Sequence, residues 1–216
     1  MTDPSNPKSG LTSALALITM LAMAPDANAQ YPGAEPEDWP CEQRLIPELA
    51  WGTLWAGPSP EALDQAWWDD EKVGTLVRFA TARETPRDAA LERVSEFVER
   101  VASEQPTIAE QRLTLLFAGL FERINSERSQ IITLIRNVAR AQVARLDELS
   151  VMVDRLEQLR ASETASDEAI QRLQKELYWQ RQTFQMRQQA LPALCEKPYL
   201  LEELLSRMVR TISAEM

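Results

Sequence analysis

Apolar residues between Arg87 and Ser103 fall at Ala90, Leu91, Val94, Phe97, Val98 and Val101, steps of three and four that line one face of a helix. A longer stripe follows. From Ile108 to Ala161 there is no proline and one glycine, and Leu113, Leu116, Phe117, Leu120, Phe121, Ile124, Ile131, Ile135 and Val138 lead into Leu149, Met152, Val153, Leu156 and Leu159. Unbroken, this stretch predicts a helix about 80 Å long, with Asn125-Ser126 as the expected point of bending because both side chains compete for backbone partners. Its first part is apolar over a broad face. Its second part, from Glu127, has a narrow seam among Arg, Glu and Gln, as in an exposed arm.

After the turn Ala161 to Asp167, Ile170, Leu173, Leu177, Gln180, Phe184, Arg187, Leu191 and Leu194 repeat with heptad steps. Two antiparallel helices meeting along Leu149, Leu156, Ile170, Leu173, Leu177, Phe184, Leu191 and Leu194 are the natural partner arrangement for that seam. Pro192 and Pro198 are expected to end this helix. Pro198 then starts a last amphipathic helix bearing Leu201, Leu204, Leu205, Met208, Val209 and Ile212, which needs a groove on the body.

Nine of the thirteen prolines precede Glu61, and after Gly74 the only glycine is Gly119. Residues 30–60 therefore read as a wrapping segment with one short helix around Cys41 to Trp55, kinked near Pro47. Five of the six tryptophans lie between Trp39 and Trp68, and large rings pressed against a helical body explain that density. Helix starts are expected at Ser59-Pro60, at Thr85-Pro86 and at the capping box Thr107 to Glu110, with Thr164, Ser166 or Asp167 capping the second arm.

Composition narrows the chemistry. The 216 residues are 44% hydrophobic and 26% charged, enough apolar material for a core, and they contain no histidine and two cysteines. Histidine-based triads and Cys/His metal sites are thereby removed. A formal charge of −10 opposes binding to nucleic acid or anionic lipid, which require a surplus of Lys and Arg. Lys8, the apolar run Leu11 to Ala24 and the triplet Ala27-Asn28-Ala29 read as a cleaved secretory signal, because 14 apolar residues give about 21 Å of helix against about 30 Å of hydrocarbon. Export to an oxidising compartment makes a disulfide between Cys41 and Cys195 the simplest use of the two thiols.

Carboxylates are the remaining abundant reactive groups. Asp64, Asp69, Asp70 and Glu71 lack the spacing and glycine of a calcium loop and read as a solvated turn; Glu35, Glu37 and Asp38 read as a polar stretch rather than an acid/base pair. Arginine outnumbers lysine 19 to 4, and Arg136, Arg140, Arg155, Arg160, Arg172, Arg181 and Arg187 are interleaved with acids along the arm, as salt-bridged outer faces would be. Met152, Met186 and Met208 form no copper-binding run, and nucleotide, hydrolase and kinase motifs are absent.

The expected fold is all-α: a small helical body with a long antiparallel coiled-coil hairpin, tied by one disulfide. The expected divisions are the signal at 1–29, the wrapping segment at 30–60, the body at 61–135, the hairpin at 136–194 and a C-terminal amphipathic helix at 195–216. The expected role is non-catalytic: a periplasmic or secreted protein-binding scaffold, assembly factor or holding chaperone of the cell envelope. It would need no cofactor, bind an envelope protein or a second copy, and have no stable membrane insertion after signal cleavage. A structural subunit of an envelope complex is the nearest alternative, and a carboxylate-based enzyme the remotest. In general architecture this resembles the periplasmic helical-hairpin chaperones, a likeness of form carried by no motif.

Overall fold

The computed structural model describes residues 36–216; the signal segment with its Ala27-Asn28-Ala29 triplet lies outside them. Four helices follow one another: α1 (Glu71–Ala80), α2 (Arg87–Ala102), α3 (Pro106–Ala161) and α4 (Asp167–Ser213), and no strand occurs among the described residues. The fold is all-α, with the two long helices α3 and α4 packed together and one disulfide between Cys41 and Cys195.

The core lies where α1, α2 and the start of α3 meet the end of α4. Val73 and Val77, Val94 and Val98, Leu113, Leu116, Phe117 and Leu120, and Leu205, Met208 and Ile212 are all sealed in it. Trp55 stacks on Phe117 at 4.3 Å between ring centroids and donates its indole N–H to the Pro58 carbonyl at 2.8 Å, so its polar end is satisfied where its rings are buried. Trp67 does the same with Glu122 at 3.0 Å. The sequence expectation that the tryptophans press on the body holds for these two and, partly buried, for Trp51, while Trp68 remains exposed.

Helix α1 begins at an N-cap that the sequence reading assigned to a solvated turn. Asp70 accepts from the backbone N–H groups of Lys72 and Val73 and, on its other oxygen, from Arg112 of α3 at 2.9 Å. Arg112 also grips Glu104, so one guanidinium ties the starts of α1 and α3 to the end of α2. Burial pushes the Asp70 carboxyl up, but the Val73 N–H and the Arg112 guanidinium more than offset this, and it titrates below the ordinary range.

Other starts also differ from expectation. Ser59 accepts from the Glu61 N–H, yet only a 3₁₀ turn at Pro60–Ala62 follows. Pro86 occupies the N-cap of α2 and Gln105 that of α3, so neither Thr85 nor Thr107 caps; a proline that fixes its own φ sets the chain direction at both starts. The short helix expected between Cys41 and Trp55 is reduced to a 3₁₀ turn, Trp51–Thr53. Its backbone groups are engaged elsewhere: Leu49 donates to the Asn125 side chain at 3.1 Å, and the Pro47 carbonyl accepts from Arg128 at 3.3 Å. The same contact explains why α3 runs 56 residues without interruption, since Asn125 spends its oxygen on Leu49.

The largest correction concerns the C-terminal third. Pro192 and Pro198 do not end α4 but lie inside it, and the separate last helix does not exist. Each proline removes one backbone bond. The side chains around them hold the rod together, because Cys195 is bonded to Cys41, Leu191 and Leu194 pack with Ile135, and Leu201, Leu204 and Leu205 reach the core. The same α4 thus serves both the hairpin and the core.

Candidate interaction surface on the helical hairpin

The hairpin closes at Ser162 to Ser166, where Ser166 caps α4 by accepting from the Ala169 N–H at 3.3 Å. Leu149, Leu156 and Leu177 are buried along the seam, with Met152, Val153, Ile170, Leu173 and Phe184 packed around them. Leu191 and Leu194 belong to a second cluster nearer the base, with Ile135, Trp39 and the disulfide. Two polar bonds fix the register: Gln142 donates to the Phe184 carbonyl, and Arg145 to the Gln180 side chain, both at 3.3 Å. Gln142 is buried, and its Oε1 accepts no hydrogen bond among the described residues.

At the base, the start of the strap around Cys41 is pinned twice. Cys41 and Cys195, 154 residues apart, approach to 5.6 Å between Cα atoms. Next to them Asp38 accepts from Arg136 at 2.9 Å and from Arg140 at 2.6 Å. The hydrogen bond from Arg136, with the charge of both arginines, holds the Asp38 carboxyl below the ordinary range despite some desolvation. Asp38, read from sequence as part of a polar stretch, is an anchor; Glu37 is exposed beside it, and Glu35 lies outside the described residues.

Beyond the strap the arm exposes unusually large apolar groups. Val143 is 63% exposed and Leu146 55%, and helical spacing sets both on one flank of α3, with Tyr178 on the matching flank of α4. Trp179 and Met186, each 60% exposed and seven residues apart, share the outer side of α4. Tyr178 and Trp179 lie edge to face at 5.3 Å. The sequence reading of the arm as a seam between charged faces missed these residues, although Tyr178-Trp179 beside a complete heptad was the available signal. Its salt-bridge expectation also needs correction: among the described residues only Arg145 pairs with an acid of the arm itself, Glu148 at 2.7 Å, while Arg136 and Arg140 pair with Asp38 of the strap. Arg155, Arg160, Arg172, Arg181 and Arg187 make no ion pair among the described residues and face solvent.

No three Asp, Glu or Cys side chains among the described residues converge as a metal-binding group, and Asp64, Asp69, Asp70 and Glu71 do not form one. Concavities are open grooves. One, about 490 Å³, lies beside the seam between Arg145, Met152, Glu176 and Gln180. Shifted carboxyls belong to Asp38 and Asp70, each occupied by arginine in a structural role. No helix of the described residues is long and apolar enough to cross a membrane. No protein family, curated protein or solved structure matches this chain.

Proposed function

We propose that the protein is a non-catalytic binding module of the cell envelope, a scaffold, assembly factor or holding chaperone that engages other proteins through its hairpin. The observation that carries this reading is the solvent-facing group Val143, Leu146, Tyr178, Trp179 and Met186, set on an arm whose own seam is already filled. Aromatic, Met and aliphatic side chains exposed beyond the needs of packing are what protein-binding surfaces present. A disulfide that closes the base fits an oxidising compartment.

The test is photo-crosslinking in the native envelope from positions 143, 146 and 178, against Ile46 and Trp68 in the strap and body. Adducts concentrated on the arm, together with a purified chain that stays soluble and slows aggregation of an unfolded client, support the reading. Adducts spread evenly, or absent, overturn it. A chain that aggregates alone yet crosslinks strongly to one stoichiometric protein points instead to a structural subunit.

A further inference from the structure

The side of the hairpin base turned away from Val143 and Leu146 carries a second, different surface. Two grooves of about 430 and 440 Å³ share Leu194 and Lys197 in their walls and so run into one another. Together they follow α3 from Ile124 to Gln142, about 27 Å at 1.5 Å per residue. The floor is apolar and spaced like a helix-binding face: Ile131, Leu134, Val138 and Ala141 on α3 oppose Leu191, Leu194, Leu201 and Leu204 on α4. Leu134 remains 49% exposed there. Ala190 and Ala193 keep the α4 wall low, which lets another backbone approach closely.

The rim is cationic in a protein whose formal charge is −10. Arg83, Arg87, Arg187 and Lys197 line it, and the one carboxylate in the lining, Glu127, is already held by Arg83 at 3.2 Å. Arg87, Arg187 and Lys197 make no ion pair among the described residues. In the same wall Gln142 holds a buried oxygen that accepts no hydrogen bond among the described residues, a group that favours an occupant with a donor at that depth.

We infer that this trough docks an acidic amphipathic helix of a partner protein, about 18 residues long by the rise per residue, with its apolar face on Leu134 and Leu194 and its carboxylates against Arg87, Arg187 and Lys197. The inference rests on the reading of the protein as a binding module and names one class of partner for it. A helix suits the trough because its length, open top and two-sided apolar floor match a third helix laid on a pair, and charge complementarity selects the acidic kind.

The test uses the full chain and two synthetic helical peptides of about 18 residues, alike in their leucines but flanked by glutamates in one and lysines in the other. The glutamate peptide is expected to bind one per chain, and the lysine peptide at least about tenfold more weakly. Leu134→Asp should remove binding, and the double variant R87E/K197E should invert the preference between the peptides. All three positions are exposed, and a helical spectrum with an unchanged melt confirms that the variants fold. Should a variant melt early, rising salt on the unaltered chain still weakens the glutamate peptide if the contact is ionic. Equal affinity for both peptides, binding of neither, or unchanged binding by Leu134→Asp overturns the proposal. Uptake of dodecanoate without either peptide also overturns it, and assigns the trough to acyl anions. Arm crosslinks at positions 143, 146 and 178 would persist in any of those outcomes, so failure of the trough is separable from failure of the binding role.

Discussion

Arg128 of α3 is 2% exposed and forms an ion pair with Glu202 of α4, 74 residues further along the chain. Its guanidinium also donates to the Pro47 carbonyl, so one buried cation joins both long helices to the strap. Removing the acid leaves that cation without its counter-charge. Glu202→Ala should cost about 2 to 3 kcal/mol, below the usual figure for a wholly buried pair because Glu202 is partly exposed. Urea denaturation measures the loss, and Arg128→Met, which takes the charge away altogether, should cost less.

The disulfide closes a loop of 154 residues, worth at most about 5 kcal/mol on the chain-entropy account. Replacing both cysteines by serine should lower the melting temperature while leaving the far-ultraviolet helical signal nearly intact, since the α3–α4 seam does not depend on sulfur. Trp39, which packs in the cluster beside the bond, should report loosening of the strap by its fluorescence.

Acid should act on the strap anchor at Asp38 and on the α1 cap at Asp70. The Asp38 and Asp70 carboxyls have folded-state pKa values lowered from 3.8, so the stability they contribute is present above the unfolded value and is lost as pH falls through the folded one. Titration from pH 5 downward should therefore leave the protein unchanged to about pH 4 and then destabilise it. Asp38→Asn should remove part of that acid step, and Asp70→Asn another part, each read from thermal melts across the range.

Gly119 lies at a close approach between α3, α1 and the Trp67 ring. A Cβ there would sit 2.7 Å from Val77 and 2.9 Å from the Trp67 ring. Gly119→Ala gains helix propensity but overpacks this contact, and a net loss of about 1 to 3 kcal/mol is expected in denaturant titration.

Pro192 is exposed inside α4, where it forfeits a backbone bond without filling a cavity. Pro192→Ala should raise stability by about 1 to 3 kcal/mol, measured as a higher melting temperature. Pro198 is buried, so the same change there removes packing and should gain less.

Periodicity made the fold class legible, because Ala90 to Val101 and Ile170 to Leu194 repeat with a period only a helix supplies. Cysteine pairing was legible from its even count. Local stop and cap signals misled where tertiary contacts outweighed them. Pro192 and Pro198 would end an isolated helix, but Cys195 and Leu205 are held on either side of Pro198. Asn125 would weaken a free helix, but here it is engaged by Leu49, a residue 76 positions away that no local window includes. The trough was not legible at all, since it arises from Arg83 in the turn before α2, Arg87 of α2 and Lys197 of α4 brought together.

One rod of 47 residues, about 70 Å at 1.5 Å per residue, begins at the hairpin tip and ends among Met208, Val209 and Ile212. A pull or twist imposed on the distal turn is therefore delivered straight to the innermost side chains, with no loop in between to absorb it. Whatever grips the prong also loads the fold's own keystone.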